Sequence, residues 1–262
     1  MLVNVKCSES SNFSSVLDEQ QQYLKYIQRI REIKNNTIAR LKENRTEMAG
    51  RGILVELIEM LQWARKLEIK EYARNIQQDV CEVVIIIMSD NSDAIDLALQ
   101  SDLVQELMKL LKDDLPFEEV DVIHISALKS FCTFGSPEQR HILYDLGLYK
   151  IMVPFLKSTN NTVAQFTSTA LYKLFSWVWY LHGGKSLNPQ FEALDHDGII
   201  QILFEDGLRK GKNEKTKVFC ADCLGLIFRA RELPFDMKSE IIAELKKGLV
   251  SLDKSDIKCS SR

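Results

Sequence analysis

The sequence predicts an all-α protein built from stacked three-helix units, and three observations carry that expectation. Glycine and proline are scarce, 11 and 5 residues in a chain of 262, although an all-β fold needs frequent turn residues. One block recurs, a small or acidic residue followed by a short apolar helix: GILVELIEML from Gly52, DLVQELMKLL from Asp102, GLYKIMVPFL from Gly147 and GIIQILFEDG from Gly198. Within each block the leucine-type residues fall at i, i+4 and i+7 or i+8, which is one face of a helix.

The first apolar residues of the blocks, Ile53, Leu103, Leu148 and Ile199, are 50, 45 and 51 residues apart. Periods of this length mark repeat architectures. A longer helix is predicted after each block. The clearest are VDVIHISALKSFCTF (120–134), TVAQFTSTALYKLFSWVWYL (162–181) and TKVFCADCLGLIFRA (216–230). Each carries a small residue followed by leucine near its middle: Ala127–Leu128, Ala170–Leu171 and Cys223–Leu224. A small side chain at a crossing lets neighbouring helices approach closely. The corresponding helix of the first unit, about 72–88, ends in VVIIIM and offers no single register.

A short helix leads into each block. Before Leu148 it is SPEQRHILYDLG, with Ser136 as N-cap, Pro137 at the first helical position and Gln139 closing a capping box. Before Leu103 it is NSDAIDLALQSD, capped by Asn91 or Ser92. No such unit can bury its apolar face alone, so the units must stack.

The ends differ from the repeats. Residues 14–47, with Leu17, Leu24, Ile27, Ile30, Ile33, Ile38 and Leu41, read as an N-terminal helical cap of one or two helices. Their heptad is too short-lived for a coiled coil. About four repeats fill 48–232, and 233–253 forms a C-terminal capping helix. Residues 1–13 and 254–262 are expected to be disordered. Pro154 should kink the second helix of the third unit. The stretch 176–197 makes the link between the third and fourth units longer than its neighbours.

Net charge is −3 and the pI about 5.9, which disfavours nucleic acid as the main partner. No run of apolar residues is long enough to span a membrane, and the N-terminus lacks the pattern of a signal peptide. Cysteines at 7, 81, 132, 220, 223 and 259 are scattered, as in a reducing compartment. The expected location is the cytoplasm, with the nucleus open.

Catalytic signals are weak. GGKS at 183–186 has Trp179 where a phosphate loop needs its first glycine. Cys220 and Cys223 form a C-x-x-C with no second ligand pair, so they read as small core residues of a helix. His124, His141, His182 and His196 show no metal-ligand spacing, and His124 sits on an apolar helix. The expectation is no catalytic residue, no metal and no cofactor.

The stretch ALKSFCTFGSPEQRHILYDLGLYKIMVPFLKSTNNTVAQFTSTALYKLF, 127–175, resembles the armadillo repeat family. It has an Ala-Leu step, a first helix, a glycine turn, a leucine-rich second helix, a polar loop and a third helix returning to Ala-Leu. The resemblance extends over roughly 48–232. It implies an armadillo-type α-solenoid, a right-handed superhelix whose third helices line a concave groove. Registered on the small–Leu step, that groove holds Ile123, Ser126 and Ser130; Phe166, Thr169, Lys173 and Trp177; and Phe219, Asp222 and Leu226.

Family members that read extended peptides carry asparagines in the groove, and importin-α-like members add tryptophans one turn earlier. Here the asparagine positions hold Ser130, Lys173 and Leu226, and the tryptophan positions hold Ser126, Thr169 and Asp222. This departure disfavours binding of nuclear localisation signals. It leaves a groove suited to an amphipathic helix or hydrophobic segment. The implied function is a non-catalytic scaffold or adaptor whose partner is a protein: a peptide, an amphipathic helix or a folded domain. The alternatives on the same fold are a nucleotide-exchange cofactor of a chaperone and a small-GTPase effector or regulator. The oligomeric state stays open.

Overall fold

The computed structural model describes residues 8–38, 42–182 and 186–259, with side chains for 17–36, 45–50, 52–181 and 186–247. The described residues form helices and turns, with no strand among them. The protein is all-α, as the repeat pattern requires. The chain divides into two compact units, Met1–Glu106 and Leu107–Arg262.

The N-terminal unit contains α1 (Ser8–Ile38), α2 (Lys42–Met48), α3 (Leu54–Lys66), α4 (Lys70–Met88) and α5 (Ser92–Gln100), and α6 (Leu103–Lys109) begins in it. The expected cap at 14–47 is thus two helices, and the first starts six residues early. Extending an existing helix avoids the cost of a new nucleus, so residues 8–13 are helical rather than disordered. Residues 1–7 lie outside the described set. Helix α1 packs along α4 and buries Ile30 and Ile33. Tyr23 stacks on Tyr72 with centroids 4.1 Å apart, and Lys34 Nζ donates to Asp79 and Glu82.

Burial resolves the register that VVIIIM left open. In α4 the buried pairs are Ile76–Gln77, Val80–Cys81, Val83–Val84 and Ile87–Met88. The later α10 (Asn161–Phe175) repeats the same spacing with Val163–Ala164, Thr167–Ser168, Ala170–Leu171 and Leu174–Phe175. Val83–Val84 therefore takes the place of the small–Leu step. Asn91 is the N-cap of α5, its Oδ1 accepting from Ala94 N.

The C-terminal unit runs through α7 (Val122–Phe134), α8 (Pro137–Asp145), α9 (Leu148–Met152) and α10. It continues with α11 (Trp177–His182), α12 (Phe191–His196), α13 (Ile199–Ile202), α14 (Glu214–Ile227) and α15 (Phe235–Cys259). Ser136 and Gln139 form the expected capping box on α8, with Pro137 in the first turn. Gly147 and Gly198 open α9 and α13 at φ of 80° and 72°. That left-handed conformation costs other residues about 1–2 kcal/mol, which is why two of the recurring blocks begin with glycine here.

After α9 the chain tightens into a 3₁₀ turn, Val153–Lys157, where Pro154 supplies no N–H for the wider helix. The second helices after α6 and α13 instead loosen into i→i+5 bonding, Leu115 N to Leu110 O and Lys210 N to Glu205 O. Helices α7, α10 and α14 lie side by side, and α14 packs on α15. Helix α15 continues past the expected limit of 253 to Cys259, with no proline to stop it. Residues 260–262 lie outside the described set.

The long link between the third and fourth units is anchored on its inner side. Arg229, buried, donates from Nε to Ser186 O, from Nη1 to Val178 O and from Nη2 to Ser186 Oγ. Its planar fork thus closes several carbonyls left open at helix and turn ends. Residues 183–185, the core of the GGKS motif, lie outside the described set.

Candidate partner-binding face

The third helices of the C-terminal unit place most of the expected groove residues on one surface. Ile123 and Ser126 of α7, Phe166, Thr169 and Lys173 of α10, and Phe219, Asp222 and Leu226 of α14 are each half-buried. The periodicity accounts for this. The small–Leu steps Ala127–Leu128, Ala170–Leu171 and Cys223–Leu224 are fully buried, so residues at −4, −1 and +3 from each step stand on the opposite side.

Two expected residues lie elsewhere. Trp177 is 1% exposed, its ring stacked on His141 with centroids 4.0 Å apart. Helix α10 ends at Phe175, so Trp177 no longer follows its spacing and starts α11, packed against α8. It is a core residue and does not line the groove face. Ser130 is 4% exposed, and its Oγ turns back to donate to Ala127 O at 2.6 Å.

Two residues that sequence reasoning missed belong to the surface. Lys129 Nζ lies 4.8 Å from the Phe166 centroid, and Tyr172 meets Phe219 with centroids 5.6 Å apart. Both sit two positions after a small–Leu step, where each reaches the next third helix. The detectable signal was their shared offset from that step. By the same register, α4 places Asp79, Glu82 and Ile86 at the groove positions of the N-terminal unit. Asp79 and Glu82 are paired there with Lys34.

The electrostatics of the C-terminal face are unusual in one respect. Among the described residues no carboxylate pairs with Lys129 or Lys173, and no cation pairs with Asp222. Burial pulls the Lys129 ammonium below the ordinary lysine range and pushes the Asp222 carboxyl above the ordinary carboxylate range. Both shifts record charge held partly out of water without compensation. The hydroxyl groups on the face already commit their protons to the helix backbone. Ser126 Oγ donates to Val122 O at 2.7 Å and Thr169 Oγ1 to Gln165 O at 2.8 Å.

The Cys220–Cys223 pair and His124 are packed in the structure. Cys220 and Cys223 are fully buried on α14, and burial pushes both thiols far up. Gly207 approaches Cys220 so closely that an added Cβ would lie 2.3 Å from its Sγ. A C-x-x-C here serves close helix contact. His124 is buried in the first turn of α7, its Nδ1 accepting from Asp121 N at 3.0 Å in a capping box.

No protein-family model matches the chain, and no curated protein matches it. Solved structures do. Computationally designed armadillo repeat proteins for modular peptide recognition share 19% identity and a TM-score of 0.59, over 86% of this chain and 83% of theirs. The chain has the armadillo-repeat fold. A designed armadillo repeat protein in complex with the peptide (KR)4 gives 19% identity and a TM-score of 0.58, over 86% and 82% of the two chains. A further designed armadillo repeat protein gives 20% identity and a TM-score of 0.57, over 76% and 74%. At such identities the likeness concerns the armadillo architecture. Among the described residues no helix is long and apolar enough to cross a membrane.

Proposed function

We propose that this chain is a non-catalytic scaffold or adaptor that binds a protein partner across the third helices α7, α10 and α14. The observation that supports it is the surface itself. Half-buried Phe166 and Phe219 lie on a regular helical platform, flanked by Lys129, Lys173 and Asp222, none of which is paired with an opposite charge among the described residues. Aromatic anchors ringed by polar groups are what a protein interface needs at its centre. Armadillo folds expose such a face because stacking consumes the other side of each third helix. One designed neighbour is described in complex with (KR)4. The lysines on this face would repel so basic a peptide, so a different cargo is expected here.

The test is proximity labelling in cells with the wild-type chain and with the double variant Phe166→Ala, Lys173→Glu. The expected outcome is loss of a discrete set of labelled proteins in the variant, at equal expression and equal helicity by circular dichroism. An unchanged set would place recognition elsewhere on the molecule.

A further inference from the structure

Resting on the reading of α7, α10 and α14 as a partner face, we infer that its occupant is an amphipathic helix with an acidic residue and a basic residue seven positions apart. Leucine-type residues lie between them on the same side.

The helical form follows from hydrogen bonding. An extended segment must find partners for its backbone N–H and C=O groups on the host surface, and a helix satisfies its own. The hydroxyls on this face already donate inward, Ser126 to Val122 O and Thr169 to Gln165 O, and have no proton left for a partner's carbonyls. No asparagine or glutamine stands at the ladder positions of α7, α10 or α14. The surface therefore offers little to an extended backbone and a good deal to an apolar stripe, namely Phe166, Tyr172 and Phe219.

The charge pattern follows from what is unpaired. Lys129 leans over Phe166 of α10, and Lys173 lies on α10 itself, its Nζ 5.7 Å from the Tyr172 centroid. The positive end of the face is thus at α10. Asp222 stands on α14 without a cation among the described residues and forms the negative end. Packed helices lie about 8–10 Å apart, and a helix rises about 1.5 Å per residue. Six or seven residues of a bound helix cover that distance, and i and i+7 share a face. An acid at i meets the lysines and a base at i+7 meets Asp222. Apolar side chains at i+3 and i+4 fall on the aromatic platform. The shifts of Lys129 and Asp222 toward neutrality agree, since a counter-charge from the partner would remove the unfavourable burial of each.

The experiment uses the full chain and three fluorescein-labelled helical peptides of twenty residues with one shared leucine stripe. The first carries Glu at i and Lys at i+7, the second Glu at both positions and the third Lys at both. Fluorescence anisotropy should show the Glu/Lys peptide binding about tenfold more tightly than either uniform one, the scale of one well-placed charge pair. In Asp222→Lys the preference should move to the Glu/Glu peptide. Equal affinities that are all weakened by Phe166→Ala would overturn the charge pattern and leave the partner face standing. If no peptide binds, or if Phe166→Ala changes nothing, both readings fall. Equal thermal melting of the variants and the wild-type chain separates lost binding from lost folding.

Discussion

In the N-terminal unit Lys34 of α1 reaches across to Asp79, four residues before the Val83–Val84 step of α4. In the C-terminal unit Lys129 of α7 reaches across to Phe166, four residues before the Ala170–Leu171 step of α10. The two lysines hold the same place between neighbouring helices and do different things with it. Lys34 closes on two carboxylates, and hydrogen bonds to Asp79 and Glu82 raise its pKa against the opposing effect of burial. Lys129 meets a ring and pairs with no carboxylate among the described residues. One repeat geometry thus yields a lysine paired with two carboxylates and a lysine set over a ring. The difference lies in the residue four before the step: aspartate in α4, phenylalanine in α10.

Three predictions bear on that comparison, the largest first. Both pairs depend on the buried step, so Leu171→Ala should cost about 3 kcal/mol and Val84→Ala about 2 kcal/mol, as for other buried truncations. Urea denaturation of each variant measures this. If Val84→Ala proved neutral, the register assigned to α4 would be wrong, and the equivalence of Lys34 with Lys129 would go with it.

The second concerns the residue three before the step, buried in both units: Val80 in α4 and His124 in α7. Burial holds His124 at a pKa of about 4, with Asp121 opposing that effect weakly. The folded-state value is thus below the ordinary 6.5, so the unfolded chain binds the proton first as pH falls. Stability should drop as pH goes from about 6.5 toward 4, by about 2 kcal/mol at pH 4.5. His124→Gln keeps a side-chain acceptor for the Asp121 N–H and should flatten that part of the dependence. Identical pH profiles for the two proteins would refute the assignment. Valine at the matching position means that this contribution has no counterpart in α4.

The smallest effect is the most direct comparison. Lys34→Ala should cost about 1 kcal/mol, because two carboxylates lose a shared partner at a partly screened site. Lys129→Ala should change stability by less than about 0.5 kcal/mol while weakening the Glu-bearing peptides. A larger loss of stability from Lys129→Ala than from Lys34→Ala would invert the distinction drawn between the two pairs.

The amino-acid sequence by itself determined the helices, their grouping in threes and the buried face of α7, α10 and α14. These follow from local rules that act within one helix or one turn: the spacing of apolar residues, the Ser136–Gln139 capping box, glycine at the left-handed turns before α9 and α13. Counted from the small–Leu step, Ile123, Phe166, Thr169, Phe219, Asp222 and Leu226 fall opposite the buried face, and each is half-buried in the structure. The same rules failed at Trp177, since the place where α10 ends and α11 turns inward is set by packing on His141. They failed in α4 as well, where a run of β-branched residues satisfies several registers and only neighbours on every side select one. Tertiary structure also decided which charges are paired. Lys34 finds Asp79 45 residues away, and Lys129 finds a ring on the next third helix, because pairing depends on what the adjacent helix presents.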